Sequence, residues 1–228
     1  MKFIVAIDGP AGTGKSSVAR ALAQKLKFVY VDTGAIYRAL ALLVHQAHIE
    51  PDDMKQVLAL IPKLRVEIDH ANYRSFIKIN DQVVDSELRS EQISKLSSVI
   101  SQDHEVREKL LKLQRNLVQK INDGAIFEGR DIGTVVFPEA PIKIYITANS
   151  ETRAKRRFLE VKNKQPQASY QDILDSIILR DLRDKSRANA PMLEAPDAVV
   201  IDTSHMTLEE VIEKTLGLIQ KAQAHKGK

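Results

Sequence analysis

Gly9-Pro10-Ala11-Gly12-Thr13-Gly14-Lys15-Ser16 fits the spacing Gly-x-x-x-x-Gly-Lys-Ser/Thr, a pattern that cradles nucleoside triphosphate when it joins a strand to a helix. Glycines let such a loop wrap closely around phosphate oxygens, and its backbone N–H groups, together with the following helix N-terminus, attract negative charge. Lys15 can reach the β and γ phosphates, Ser16 can offer an oxygen to magnesium, and Ser17 extends the same surface. A glycine-rich turn that binds nothing is the plain alternative. Lysine, hydroxyl and a preceding apolar strand together argue against it.

This loop leaves open a GTPase, a motor, a transporter ATPase and a kinase. A guanine-reading Asn-Lys-x-Asp is missing from the sequence. A kinase needs a second phosphate site facing the first, because phosphoryl transfer depends mainly on positioning and charge neutralisation. Three segments offer one. Asp32-Thr33-Gly34-Ala35-Ile36-Tyr37-Arg38 follows a short extended run, and Glu128-Gly129-Arg130-Asp131-Ile132-Gly133-Thr134 follows another. A glycine beside an arginine at a strand end admits a ligand to the backbone while the guanidinium forks a phosphate. The third segment, Arg180-Asp181-Leu182-Arg183-Asp184-Lys185-Ser186-Arg187, puts Arg180, Asp184 and Arg187 on one helix face, and Arg183 and Arg187 likewise share a face. Alone, this helix reads as a solvated face laced with ion pairs. Residues 150–190, however, hold 10 basic against 6 acidic side chains, an excess equal to the whole net charge of +4. That bias favours a phosphate-binding role for Arg180, Arg183 and Arg187. Arg107 and Ser98 look like ordinary helix-surface residues from local pattern.

The elements that must position these groups are legible from periodicity. Phe3 to Ile7 is a continuous apolar run, expected of a parallel strand buried on both faces, and Lys15 to Leu26 has helical spacing. Val29–Val31, Ala125–Phe127, Ile142–Thr147 and Ala198–Ile201 read as further strands separated by helical patterns, giving a doubly wound parallel five-stranded sheet flanked by helices. Arg65 to Val84 alternates around an Asn80-Asp81 turn and predicts a small antiparallel insert. Arg153 to Arg187 predicts two helices joined by the polar stretch Lys162 to Gln167, with Ser169 capping the second. Such a pair could act as a hinged flap. Thr207-x-x-Glu210 is a capping box opening a final helix.

At 228 residues, 43% hydrophobic and 28% charged, the chain is expected to be one globular unit, neither disordered nor fibrous. The absence of cysteine excludes disulfides, thiol catalysis and thiolate zinc sites. The first apolar run is too short for a membrane span, so a cytoplasmic protein without a membrane partner is expected. Eleven Tyr and Phe are spread along the chain without interleaving with the basic flap, which argues against a nucleic-acid partner.

The motifs G-P-A-G-T-G-K-S-S, D-T-G-A-I-Y-R, E-G-R-D-I-G-T-V-V-F-P and R-D-x-x-D-x-x-R-x-x-A-P, in this order, resemble the bacterial cytidylate kinase family across nearly the whole chain. The resemblance implies transfer of phosphoryl from ATP to CMP or dCMP with magnesium, in pyrimidine nucleotide metabolism, by a monomer. It implies a P-loop nucleoside monophosphate kinase fold with a CORE at about 1–62, 86–150 and 188–228, an NMP-binding insert at about 63–85 and a helical LID at about 151–187. By the same resemblance Arg38 and Arg130 hold the acceptor phosphate, Thr33, Arg107, Asp131 and Arg187 read cytosine, and Ser98, Arg180 and Asp184 meet the pentose. Lys15, Arg130, Arg180 and Arg183 would then stabilise the transferring group, and Ser16, with Asp32 more weakly through water, would hold magnesium. Cytosine presents an amino donor beside two acceptors, which suits a carboxylate or hydroxyl paired with arginine. Thr33 stands where serine is often found, Glu128 where some members have aspartate, and Met192 where leucine is common; the last two are expected to lie outside the contacts. A kinase for UMP or shikimate, and more remotely a nucleic-acid-dependent ATPase, are the competing readings.

Overall fold

A computed structural model describes residues 2–162 and 166–226. The five expected parallel strands all form: β1 (Phe3–Asp8), β2 (Val29–Asp32), and, further along, Gly124–Glu128, Ile142–Thr147 and Val199–Asp202. Between β2 and these lie β3 (Leu64–Asp69), β4 (Arg74–Ile79) and β5 (Gln82–Val84), so the later parallel strands are β6, β7 and β8. The parallel order is β2-β6-β1-β7-β8, which puts the strand leading into the glycine-rich loop at the centre. Alternate residues of β1 face opposite layers. Ile4 and Ala6 join one core and Val5 and Ile7 the other, as the two-residue strand period requires.

One layer is built by α2 (Thr33–Gln46), α3 (Met54–Leu60), α4 (Glu91–Ile100) and α5 (His104–Asn116), which contribute Leu40, Val57, Ile100 and Leu110 among others. The other is built by α1 (Lys15–Leu26), through Val18, Leu22 and Ala23, and by the final helix, through Val211 and Ile219. The basic flap folds as α6 (Ser150–Lys162) and α7 (Tyr170–Ser186), with Ser169 Oγ accepting from Asp172 N–H at 3.4 Å at the start of α7. Part of the polar stretch between these helices, residues 163–165, lies outside the described residues, as does the extreme C-terminus. The final helix, α8 (Leu208–Lys226), opens on the expected capping box. Glu210 N–H donates to Thr207 Oγ1 at 3.3 Å, and Thr207 N–H donates back to Glu210 Oε2 at 2.8 Å.

The expected separation of a five-stranded sheet from an antiparallel insert needs correction. β3, β4 and β5 do pair antiparallel, and Asn80 and Asp81 both take positive φ (48° and 65°), as a tight type I′ hairpin turn requires. Yet the patch is continuous with the sheet. Tyr30 pairs in parallel with Arg74, and Tyr30 N–H donates to Tyr73 O at 2.9 Å, giving one sheet of eight strands. The physical reason is the outer edge of β2, whose backbone groups would otherwise be unpaired.

Candidate active site

Each candidate group sits at the carboxyl end of a parallel strand or on a helix packed over that end. β1 delivers the glycine-rich loop. A Cβ at Gly9 (φ 138°) would stand 2.0 Å from the carbonyl oxygen of Ile146 on β7, so only glycine lets the loop leave the sheet here. Gly9→Ala is accordingly expected to destabilise the fold by about 4 kcal/mol or more, from overpacking together with backbone strain. Urea unfolding of the variant beside the parent checks this.

Lys15, at the first turn of α1, is only 3% exposed and donates to Pro10 O at 2.5 Å. Burial, and then the nearby Arg130 guanidinium, pull its ammonium down to about 7. Ser16 Oγ donates to Glu128 Oε2 at 2.8 Å, Tyr30 Oη donates to the same oxygen at 2.8 Å, and Glu128 Oε1 lies 4.0 Å from Lys15 Nζ. Glu128 ends β6, directly beside β1. The sequence expectation that Glu128 stays outside the contacts is therefore overturned, while Asp32 is engaged elsewhere. Asp32 Oδ1 caps α2 by accepting from Ala35 N–H at 2.9 Å, and Oδ2 accepts from Arg38 at 2.8 Å. Both Asp32 oxygens are committed to its own segment. Ser16 and Glu128 form an all-oxygen pair beside the loop, the donor chemistry that suits magnesium bound mainly by phosphates and water.

Across from the loop, residues 129–136 turn sharply, with a π-helical segment at Ile132–Val136. Arg130 Nε donates to Asp184 Oδ2 on α7 at 3.0 Å, while Asp131 pairs with Arg107 on α5. Arg107 also lies over the Tyr37 ring, 5.4 Å from its centroid. Burial pulls the Arg130 guanidinium down, but Asp184 and Glu128 together more than reverse it, so it is held above its ordinary value. For Arg180 the balance falls the other way, despite Asp184 and Asp181. Burial, then Arg130, lower it to about 10, and burial followed by Arg107 lowers Arg187 as well. Burial opposes ionisation of Asp184, yet Arg130, Arg180 and Arg187 hold its carboxyl below the usual range. Thr33 Oγ1, beneath this group, donates to Glu128 O at 2.8 Å and keeps lone pairs free to accept.

Most of the sequence-derived set thus converges on one cleft: Arg38, Arg107, Arg130, Asp131, Arg180, Asp184 and Arg187 are linked by ion pairs and mutual fields, Arg38 through its effect on Arg180, and Thr33 joins them through Glu128 O. Arg107, which local pattern places on the surface, is 8% exposed, and Ser98 on α4 is equally buried. The reason is tertiary, since α4 and α5 pack over the sheet and α7 closes against α4. Ser98 Oγ, Arg180 Nε, and Arg187 Nε and Nη2 are buried without a hydrogen-bond partner. Unpartnered buried cationic donors are costly unless a ligand satisfies them. Arg183 is half-buried on α7, and its side chain makes no ion pair or hydrogen bond among the described residues. A flap arginine that hydrogen-bonds to the loop is Arg153 on α6, which the sequence did not single out. It donates to Ala11 O at 3.1 Å and pairs with Asp181 of α7 at 2.7 Å. No local spacing marks it, because its partners come from distant parts of the chain.

A glycine-rich anion cradle facing an arginine-lined cleft, on a sheet wound in both directions, defines a P-loop kinase. The family model described as cytidylate kinase matches residues 5–221. The chain therefore belongs to the cytidylate kinase family. It is 42% identical over 220 residues to the cytidylate kinase of Caldicellulosiruptor saccharolyticus, covering 96% of each chain. It is 44% identical over 214 residues to that of Pseudothermotoga lettingae, covering 93% and 92%. An uncharacterised protein of Eubacterium ventriosum superposes with a TM-score of 0.53 at 11% identity over 96% of this chain and 99% of its own, a likeness of fold alone.

Proposed function

We propose that the chain transfers the γ-phosphoryl of ATP to CMP or dCMP, giving ADP and CDP or dCDP. The observation that carries this reading is the set of buried, unpartnered guanidinium donors on Arg180, whose charge acts on Lys15, and on Arg187, which lies in the field of Arg107, Asp184 and Asp131. Such a set fits a second, anionic substrate opposite the triphosphate. An acceptor phosphate oxygen attacks the γ-phosphorus in line as the bond to the ADP oxygen breaks. No strong base is needed, because the nucleophile is already anionic.

Residues 9–17 bind the donor, Lys15 following the charge from the β to the γ phosphate. Arg38 and Arg130 orient the acceptor phosphate. Asp131 and Thr33 accept from the cytosine amino group while Arg107 and Arg187 donate to its acceptors, and Ser98, Arg180 and Asp184 meet the pentose. Magnesium, carried in with the triphosphate and held by Ser16 with Glu128, would neutralise phosphate charge. Closure of the LID, residues 151–187, over the CORE would keep water from the γ-phosphoryl, with residues 63–85 as the acceptor-side insert. A cytoplasmic monomer in pyrimidine nucleotide metabolism is part of the same reading.

Glu128→Gln retains an oxygen acceptor for Ser16 and Tyr30 but removes the charge. It is expected to raise the magnesium concentration needed for tight ATP binding about 10-fold with little change in thermal stability, roughly one charge-assisted contact. Titrating ATP at several magnesium concentrations measures it. The reading as a whole is tested by ADP release with magnesium-ATP and CMP, dCMP, UMP, AMP, GMP or shikimate offered separately. Selective turnover of CMP and dCMP is expected. Release without an acceptor, or stimulated by nucleic acid, would leave the loop assignment standing and refute the cytidylate one.

A further inference from the structure

Asp8 is the last residue of β1, directly before the glycine-rich loop, and it is buried. Its two carboxylate oxygens reach across the sheet end to the acceptor-side turn. Oδ1 accepts from Ile132 N–H at 2.8 Å and Oδ2 from Gly133 N–H at 2.7 Å. Those are the first amides of the π-helical segment Ile132–Val136, which has no side-chain cap from its own N-cap residue, Asp131. The other end of the turn is tied to the same strand, Gly129 N–H donating to Ile7 O at 2.9 Å. Arg130 and Asp131 are thus suspended between two anchor points on β1, with their side chains free to turn outward to Asp184 and Arg107.

We infer that Asp8 is a positioning residue for the transfer, a carboxylate clamp that fixes the acceptor-binding turn to the strand carrying the donor loop. This rests on the proposed roles of Arg130 and Asp131. Two charge-assisted hydrogen bonds to consecutive amides restrain both translation and tilt of the turn, which a single bond would not. Errors of about 1 Å in such alignment cost roughly 100-fold in rate. Burial raises the Asp8 carboxyl to about 7 against the pull of both amides, and the Asp131 charge adds to the rise.

Asp8→Asn is the test, because it keeps the shape and one acceptor but turns an amide donor against a backbone N–H. The expected result is a kcat lowered about 30-fold or more in turnover kinetics, and CMP binding weakened more than ATP binding in equilibrium titrations. In the parent protein, hydrogen exchange should show the Ile132 and Gly133 amides protected without ligand, and in D8N exposed. Unchanged kcat and CMP affinity in D8N, or parent amides exchanging at unprotected rates, would overturn the inference. A parent enzyme that turns over no CMP would instead sink the proposed function, so the two failures are distinguishable.

Discussion

Lys15→Ala is expected to lower kcat about 1000-fold, roughly 4 kcal/mol of barrier, while the fold survives. Lys15 is the one basic side chain in residues 9–17, and in the proposed reading it follows the charge that develops on the γ-phosphoryl. Its removal should not unfold the chain. Burial, with Arg130 and Arg180 nearby, pushes the ammonium down to about 7, so the folded state disfavours its charged form. Glu128 keeps Ser16 and Tyr30 as partners when Lys15 is gone. The thermal midpoint of the variant is therefore expected to match or exceed that of the parent. Single-turnover kinetics with saturating ATP and CMP, run beside thermal unfolding, check both halves. Turnover within a few-fold of the parent would refute the loop assignment.

Asp131→Ala is expected to weaken CMP binding about 50-fold and ATP binding by no more than about 3-fold. A carboxylate that accepts from a base amino group contributes about 1.5–3 kcal/mol as a charge-assisted hydrogen bond, and losing it leaves the base donor unsatisfied in a dry pocket. In this chain the loss is compounded, since Asp131 also holds Arg107, which is buried over the Tyr37 ring. Without its partner, Arg107 is left as an uncompensated buried charge, and the cytosine contacts on both sides of the base loosen together. Separate calorimetric titrations of CMP and ATP measure the split. Equal losses for both ligands would mean that Asp131 supports the cleft generally and does not read the base.

The parallel strands are legible in the residues alone, because Phe3–Ile7 of β1 and Ala125–Phe127 of β6 are unbroken apolar runs and Ile144–Ile146 of β7 is another, and a strand buried on both faces has no polar side to alternate with. The glycine-rich loop is equally legible, its meaning lying in local spacing and in the strand that leads into it. The hairpin turn at Asn80 and Asp81 follows from residue types that tolerate positive φ.

Other features depend on residues far apart in the chain. Asp32 and Glu128 both close parallel strands near a glycine and an arginine, so local pattern does not distinguish which carboxylate serves Ser16. Register decides it. β6 lies between β1 and β2, which puts Glu128 against the loop and leaves Asp32 to cap its own helix. Arg107, Ser98 and Arg153 carry no local mark because their neighbours come from elements many residues away, and burial of a cation is stable only where those partners assemble. Asp8 reads in sequence as the polar end of an apolar strand. Only the packing of the 129–136 turn across that strand end gives its carboxylate two amides to hold. Local pattern determines which segments are strands, helices and phosphate loops because those follow from short-range sterics and periodicity. Which charged side chains face one another is a property of the closed fold, where long-range contacts set both distance and dielectric.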